Sequence, residues 1–394
     1  MKLNKMQAVA VKECTKWFKR QSIDKKPWFE ISGAAGTGKT TVVRCIVEEL
    51  GLSPDEVMYM AFVGKATLAL RLNGLNAQTI HSSIYELKKV PARDEAGKII
   101  MKHGRPLMKN VFVLKSSLPP NIKCIVLDEG GMVNNIMGVD ILSFKIPVIV
   151  LGDRNQLPPV FGQSLFLQAP DVTLNEIMRQ EKDSPIIYLS QLAIHGIQIP
   201  YGSYGGGQCE VIRKHQMTDN YLQEADLVIC GTNSTRDELN HYMRNDIFNI
   251  HEPTIQIGDK LICRQNNWDV GLQNDIVLVN GLIGYTEGIY RETTSPNIVN
   301  IDFRPEFIDD DSFKKLPIDH KYLFSDYYTR KNTNTMYSDG IIFEFGYCIT
   351  CHLSQGSQYD TVLVYNESLS TGVYQRQWLY TALTRAKKRL ILAI

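Results

Sequence analysis

The chain has 394 residues, 44% of them hydrophobic and 22% charged, with a formal net charge of +1. That composition fits an ordinary globular protein with enough apolar material for two to four cores, and excludes a low-complexity or fibrous chain. The near-zero charge excludes a global electrostatic signature for nucleic acid, so any such partner must be met by a local groove.

Asn4 can cap a helix in which Met6, Val9, Ala10, Cys14 and Trp17 fall on one face. Gln7 lies off that stripe and on chemistry alone reads as solvated, although a Gln amide can pair bidentately with adenine. Residues 28–31 read as a strand. Val42, Val43, Ile46, Val47 and Leu50 then follow at helical spacing up to Gly51, which suits the stop. Between these elements, Gly33-Ala34-Ala35-Gly36-Thr37-Gly38-Lys39-Thr40 completes G-x-x-x-x-G-K-[ST], the phosphate-binding loop. Small residues there let backbone N–H groups curl around a β-phosphate at the positive end of the helix. Lys39 would reach the β- and γ-phosphates, and the Thr40 hydroxyl would ligate Mg²⁺. A glycine-rich turn that merely enters a helix is the competing reading, but register and both flanks favour a nucleoside triphosphate.

A second β-α unit follows, with a strand over 57–62, a helix opening at Gly64-Lys65-Ala66-Thr67, and a stop at Asn73-Gly74. Thr79-Ile80-His81-Ser82 enters another helix, where the plain reading of Thr79 is an N-cap. Residues 86–118 change character, with eight Lys or Arg (Lys88, Lys89, Arg93, Lys98, Lys102, Arg105, Lys109, Lys115) against three acids. Gly97 and Gly104 punctuate short alternating runs, so this is a small basic β excursion or a solvated charged loop. A buried strand over 121–127 then delivers Asp128-Glu129, where open α/β sheets place catalytic groups. Asp128 would hold the Mg²⁺ shell and Glu129 would polarise the attacking water. The next strand, 146–151, runs into Gly152-Asp153-Arg154-Asn155-Gln156-Leu157-Pro158-Pro159, which would set Gln156 beside the same sheet edge to sense a γ-phosphate.

Beyond Phe161 the pattern restarts. Arg179-Gln180 precedes a helix from about Ser184, and a Gly-rich loop at 201–207 leads to a strand over 227–230 and then Thr232-Asn233. Ser234-Thr235-Arg236-Asp237 resembles a capping box for the next helix. Helical periodicity disappears over 253–339, where short β runs alternate with turns, as in a small β-barrel-like insert. A strand over 345–350 precedes His352-Leu353-Ser354-Gln355-Gly356, another spans 361–365, and a helix presents Thr381-Ala382-Leu383-Thr384-Arg385. Cys348-Ile349-Thr350-Cys351-His352 matches a haem-attachment spacing, but strand alternation and the absence of a second ligand pair make these cysteines structural. No apolar run approaches a membrane span, and the N-terminus lacks a signal peptide's apolar core, so a cytoplasmic protein is expected.

In this order the motifs resemble those of a superfamily 1 helicase of the 5′-to-3′ branch, the RecD-type and bacteriophage Dda-like enzymes. The resemblance runs from Gln7 to Arg385. It implies two RecA-like parallel-sheet domains with ATP between them, a P-loop NTPase of α/β class carrying a small β wedge insert and an SH3-like β insert. The implied boundaries are 1–85 with 119–165 (domain 1A), 86–118 (1B), 166–252 with 340–394 (2A), and 253–339 (2B). Gln7 becomes an adenine reader, and the nucleotide set adds Thr41 and Gly356 to the loop residues Gly33, Ala34, Ala35, Gly36, Thr37, Gly38, Lys39 and Thr40. Catalysis would fall to Lys39, Asp128, Glu129, Gln156 and the fingers Arg179 and Arg385. Phe62, Lys65, Thr79, His81, Thr232, Asn233, His352 and Ser354 would meet nucleic acid. Phe62 and Val63 replace the family's Pro-Thr, which puts base stacking by Phe62 in place of a backbone contact, and Gly131 replaces a serine. The implied activity is ATP- and Mg²⁺-dependent unwinding of tailed or forked duplex DNA from single-stranded DNA, by a monomer in bacterial or phage-infected cytoplasm, with replication or recombination proteins as partners. A translocase without strand separation, an RNA helicase and a phosphate-loop small-molecule kinase are the alternatives.

Overall fold

The computed structural model describes residues 3–20, 26–34, 36–62, 64–72, 74–94, 96–102, 104–159, 162–175, 184–272, 277–291, 295–333, 335, 338–367 and 371–394. The chain divides into two compact units, Met1–Arg154 with Pro158–Met178, and Asn155–Leu157 with Arg179–Ile394.

The first unit runs α1 (Lys5–Arg20), β1 (Trp28–Gly33), α2 (Lys39–Leu50), β2 (Val57–Ala61), α3 (Gly64–Leu72), β3 (Ala77–Thr79) and α4 (Ile80–Ile84). It continues through β4 (Tyr85–Pro91), β5 (Met101–Lys102), β6 (Arg105–Pro106), β7 (Met108–Leu114), β8 (Cys124–Asp128), α5 (Asn135–Ser143), β9 (Val148–Gly152) and β10 (Val172–Leu174). Six strands form one parallel sheet in the order β10-β1-β9-β8-β2-β3. Covered on both faces, its strands read as continuous apolar runs rather than alternating ones. Ile31, Ile125, Leu127, Ile149 and Val150 are fully buried, each worth about 1.5–3 kcal/mol relative to exposure. Register aligns the strand ends: Ala61 pairs with both Thr79 and Asp128, and Ser32 pairs with Gly152. One carboxyl edge therefore carries the phosphate loop, Asp128 and Thr79, which is the edge where open α/β sheets bind ligands.

The basic excursion folds as an antiparallel hairpin, β4 on β7, from Tyr85 opposite Leu114 to Pro91 opposite Met108, with the small β5–β6 hairpin beyond it. Lys115 pins its base by donating to the carbonyls of Ser82 (2.9 Å) and Ser83 (2.8 Å). Met101, Met108, Phe112 and Val113 stay exposed along it.

The second unit contains α6 (Pro185–His195), β11 (Gly202–Tyr204), β12 (Cys209–Ile212), α7 (Asp219–Glu224), β13 (Leu227–Cys230), α8 (Asn233–Tyr242), β14 (Lys260–Cys263), β15 (Asn267–Gly271) and β16 (Val277–Leu278). It then follows β17 (Ile283–Tyr290), β18 (Ile298–Pro305), β19 (Phe313–Asp319), α9 (His320–Leu323), α10 (Tyr327–Asn332), β20 (Phe343–Phe345), β21 (Cys348–Thr350), β22 (Tyr359–Tyr365), α11 (Val373–Leu383) and β23 (Ala386–Ala393). A six-stranded sheet has the order β11-β12-β23-β22-β13-β21, parallel except at the β11 edge. The Gly-rich stretch at 201–207 thus supplies an edge strand rather than only a loop. An antiparallel five-stranded sheet, β19-β18-β17-β14-β20, stands beside it. The single strand expected over 345–350 is two strands in different sheets. A Cβ at Gly346 would lie 3.0 Å from the Leu261 backbone, so the chain changes sheets at a glycine that lets β14 approach. The antiparallel sheet has no separate core, because Phe303, Phe313 and Phe343 pack in one cluster with Val228, Cys230 and Leu363 of the parallel sheet. All eight cysteines are free, and seven of them are buried.

Candidate nucleotide and nucleic-acid site

Strand β1 ends in the phosphate loop, and α2 starts without a cap. Gly38 at its N-cap is left-handed (φ 80°) and supplies no side-chain hydrogen bond, and the first turn holds no acid. The first N–H groups of this helix are therefore left for an external anion. A Cβ at Gly38 would fall 2.5 Å from Gln7 Nε2 and one at Gly33 would fall 2.6 Å from Thr37 Oγ1, so a side chain at either position would displace these groups, and Gly38 is favoured by its φ as well. Lys39 Nζ donates to the carbonyls of Gly33 (2.6 Å) and Ala34 (3.1 Å), folding its ammonium over the loop. Thr37 Oγ1 donates to Ala34 O at 2.8 Å.

Gln7 is buried, not solvated. Its Nε2 donates to Thr37 O at 3.0 Å, while its Oε1 accepts from Asn4 N at 3.0 Å. Asn4 Oδ1 in turn accepts from Gln7 N at 2.8 Å, so Asn4 caps α1 as expected. Both ends of the Gln7 amide are engaged, and the residue ties the start of α1 to the phosphate loop. Adenine pairing would require it to exchange these partners.

At the end of β8, Asp128 Oδ1 accepts from Glu129 N at 2.9 Å. Burial pushes the Asp128 carboxyl up from its ordinary pKa, opposed by the positive charge of Lys39 and by the Glu129 hydrogen bond. Glu129 adopts a left-handed conformation, φ 52° and ψ 41°. For a residue with a Cβ this costs on the order of 1–3 kcal/mol, and such strain gathers at functional sites. Gly130 makes the turn possible, since a Cβ there would lie 2.3 Å from Val150 Cγ1. Gly131, where the family has serine, is less confined, its Cβ meeting only Leu167 Cδ1 at 3.6 Å and Asp153 O at 4.0 Å. The donors present suit a magnesium–nucleotide complex: an uncapped helix start, an ammonium, a hydroxyl on Thr40 and a desolvated carboxylate opposite the ammonium.

Around β3, Thr79 caps α4 by accepting from Ser82 N, which is the plain reading of that residue. His81 sits in an aromatic group, its ring centroid 4.8 Å from Phe112, 5.6 Å from Tyr85 and 6.3 Å from Phe62. Burial lowers its pKa, so the imidazole is neutral at pH 7 and offers a stacking face rather than a charge. Phe112, on the hairpin, carries no sequence motif; only three-dimensional pairing brings it to His81.

In the second unit, Asn155–Leu157 is fastened through Leu157, whose N–H donates to Thr381 Oγ1 (2.9 Å) and whose carbonyl accepts from Gln355 Nε2 (2.9 Å). Gln156, between Gly152 at the end of β9 and the fastened Leu157, groups with the second unit. Thr232 caps α8, its Oγ1 accepting from Thr235 N at 3.0 Å, so the cap falls earlier than the Ser234-to-Asp237 box. Glu367 Oε2 accepts from the N–H groups of Gly231 (2.6 Å) and Thr232 (2.9 Å). Sequence reasoning missed Glu367, which no motif marks. His352 Nε2 lies 3.0 Å from Tyr374 Oη, and burial lowers its pKa. Ser354 is fully buried, with Oγ donating to Cys351 O at 2.7 Å. Its expected place on a nucleic-acid surface is thus corrected to the core of its loop. Gly356 is left-handed (φ 72°). Arg385 is buried and donates to the carbonyls of Thr381 (2.9 Å) and Ser357 (3.0 Å) and to Thr384 Oγ1 (3.0 Å). Ala35, Val63, Arg179 and Gln180 lie outside the described residues, as does the side chain of Lys65.

Residues 2–198 match the family described as AAA domain, and residues 345–393 match the UvrD-like helicase C-terminal domain. Among curated relatives, an ATP-dependent RecD2 DNA helicase from Deinococcus radiodurans is 23% identical over 391 residues, covering 92% of this chain and 46% of the relative. An ATP-dependent DNA helicase dda from Enterobacteria phage T4 is 32% identical over 144 residues, covering 35% of this chain and 29% of the relative. The chain thus spans less than half the length of these relatives. Among solved structures, two coordinating Pif1 helicases studied for unwinding of forked duplex DNA give a TM-score of 0.54 at 16% identity, over 100% of this chain and 92% of that one. Bacteroides Pif1 bound to single-stranded DNA gives 0.52 at 15% identity, over 99% and 93%. These structures share the fold, α/β with two RecA-like domains.

Proposed function

The chain belongs to the AAA-domain family, and we propose that, like the RecD- and Dda-type DNA helicases it resembles, it hydrolyses ATP to move along single-stranded DNA, 5′ to 3′, and to separate duplex ahead of it. The observation that carries this reading is the carboxyl edge of the first sheet. There an uncapped helix start with Lys39, and the strained Glu129 beside Asp128, follow β1 and β8, the two strands that flank β9.

Lys39 releases the carbonyls of Gly33 and Ala34 to meet the β- and γ-phosphates, whose negative charge outcompetes neutral oxygens. Gly33 to Thr41 and Gln7 shape the loop around them. Thr40 and Asp128 would hold Mg²⁺, which supplies charge neutralisation on the phosphate oxygens. Glu129 orients and deprotonates the attacking water. Gln156 and the fingers Arg179 and Arg385 complete the hydrolytic set, Gln156 coupling phosphate state to the Thr381 and Gln355 contacts beside it.

Single-stranded DNA is the substrate that the DNA-bound Pif1 relatives suggest. Phe62 and His81 offer stacking faces, with Lys65, Thr79, Thr232, Asn233 and His352 at the carboxyl ends of parallel strands or in the first turns that follow them. Ser354 acts by holding its loop. We assign residues 86–118 as the wedge (1B) and 253–339 as the SH3-like insert (2B) on the RecA-like domains 1A and 2A. The hairpin suits a wedge because it stands out from the sheet on a pinned base. Tailed or forked duplexes, replication or recombination partners, a monomeric state and a cytoplasmic setting belong to the same proposal. Among the described residues no helix is long and apolar enough to cross a membrane.

A fluorescent duplex with either a 5′ or a 3′ single-stranded tail, incubated with ATP and Mg²⁺, tests this reading. Strand release from the 5′-tailed substrate alone is expected. ATPase that ignores DNA, with no release from either substrate, would overturn it; stimulated ATPase without release would indicate a translocase.

A further inference from the structure

A second concentration of charge lies where the antiparallel sheet joins the parallel one. Arg236 of α8, Arg264 after β14, and Arg330 of α10 converge on Glu344 of β20. Arg236 Nη2 is 2.7 Å and Arg264 Nε 3.1 Å from Glu344 Oε2, while Arg330 Nε is 4.0 Å from Oε1. Arg330 also pairs with Asp237. His241 approaches Asp237 as well, at 3.7 Å, but burial and nearby Arg244 lower its pKa, so it brings no charge at pH 7. Three guanidiniums thus face two carboxylates, leaving one positive charge in excess.

That excess cannot be relieved by proton loss, because guanidinium stays charged in proteins. Nor is the cluster fully hydrogen-bonded: Arg236 Nη1, Arg264 Nη1 and Arg330 Nε are shielded from solvent without a hydrogen bond, and so is Glu344 Oε2, which the arginines face as an ion pair. A buried donor without a partner is costly, more so when charged. An ion network that only fastens the two sheets together would account for the carboxylates, but not for a third arginine. Arg264 is the most exposed of the three. The side chains of Arg236 and Arg330 are 5% exposed, whereas that of Arg264 is 24% exposed.

We propose that this cluster is a phosphate-binding site, contacted through Arg264, with Arg236 and Arg330 supplying the charge behind it. A planar, permanently charged fork suits phosphate oxygens, and low-dielectric surroundings strengthen the attraction. Arg236 lies one helical turn beyond Thr232 on α8. The phosphate comes either from a nucleic-acid backbone crossing this helix or from free inorganic phosphate.

The test uses the full chain in a Lys39→Ala background, so that phosphate at the loop preceding α2 does not contribute. Inorganic phosphate is titrated at constant ionic strength while thermal unfolding is followed for the parent, Arg264→Gln and Arg264→Lys. Phosphate should raise the Tm of the parent, raise that of Arg264→Lys by less, and leave Arg264→Gln unmoved. In a second arm, single-stranded DNA affinity is measured against salt. Binding about tenfold weaker in Arg264→Gln, with a log–log slope smaller by about 0.7, assigns the phosphate to the nucleic-acid backbone. An unchanged slope with Arg264-dependent stabilisation by inorganic phosphate assigns it to free phosphate. A parent Tm indifferent to phosphate, together with an unchanged slope, would overturn the site. If Arg264→Gln does not fold, the parent titration and Arg264→Lys still decide. The first arm contains no DNA, so its result is independent of the helicase reading.

Discussion

Two strand–loop–helix turns, β1 into α2 and β13 into α8, each bring a helix start to the carboxyl end of a buried parallel strand, and they are finished in opposite ways. The α2 start has a left-handed glycine at its cap and no side chain on its amides. The α8 start has Thr232 at its cap, and the Glu367 carboxylate occupies the amides of Gly231 and Thr232 while accepting from Thr235 Oγ1 at 2.5 Å. Helix starts attract anions through orphan N–H groups and the helix dipole. One unit leaves that attraction open for a ligand, whereas the other satisfies it with its own side chain. The repeated architecture therefore leaves one helix start open to an anion, and under the proposed function the second unit acts on the nucleotide through side chains such as Arg385.

Arg385→Ala tests that division most strongly. A finger in cis is worth about 10³–10⁵ in rate, so turnover at saturating ATP and DNA should fall by that order. Arg385 also holds three partners within its own unit, so the folded fraction must be measured alongside. A loss below tenfold in folded protein would make Arg385 a purely structural cation.

Next in size is the separation of binding from chemistry at the α2 start. Glu129→Gln keeps a hydrogen-bonding side chain but removes the base, and should lower turnover by about 10²–10⁴ while a fluorescent ATP analogue still binds. Lys39→Ala should lose that binding as well. Tight analogue binding by Lys39→Ala would show that the nest is not where the nucleotide sits.

What the sequence made legible follows from how local the physics is. The phosphate loop is readable because its glycines answer a local backbone demand, as the left-handed Gly38 shows. Asp128 is readable because four apolar residues force a strand to end there. Gln7 was misread because its partner, the Thr37 carbonyl, lies thirty positions away and periodicity cannot see it. Glu367 went unnoticed for the same reason, with 135 positions separating it from Thr232. The split of the 345–350 run into two sheets turns on Gly346 and on a neighbour, Leu261, that only the fold supplies. Ser354 lies in a motif whose order implies a surface role, yet its burial depends on packing that the motif does not encode.

Glu367→Gln is a smaller perturbation that bears on the α8 side of the comparison. The amide keeps one acceptor but loses the charge that strengthens bonds to Gly231, Thr232 and Thr235. Stability should fall by about 0.5–1.5 kcal/mol, as for weakened, partly buried bonds, while ATPase without DNA stays at the parent rate. If this variant gained a second nucleotide equivalent in equilibrium dialysis, the two helix starts would differ only by their plug. No gain is expected, since α8 lacks the glycine loop and the lysine that accompany α2.

The smallest expected effect concerns a feature that the two units share. His81 follows β3 and His352 follows β21, and burial lowers the pKa of both from the ordinary 6.5. Each is neutral in the folded protein at pH 7, so neither offers positive charge to a phosphate there. The sign of the stability effect follows. Below about pH 6.5 the unfolded chain takes up protons that the folded chain resists, so stability is complete above that pH and declines as pH falls toward the folded pKa. His81→Gln should therefore flatten the fall in Tm between pH 7 and 5.5 without abolishing it, because His241, His320 and His352 are depressed in the same direction. At pH 7.5 the same variant should leave the salt slope of single-stranded DNA binding unchanged, since only stacking against Phe62, Tyr85 and Phe112 is lost. A slope reduced by about 0.7 would show instead that His81 is charged and pairs with a phosphate.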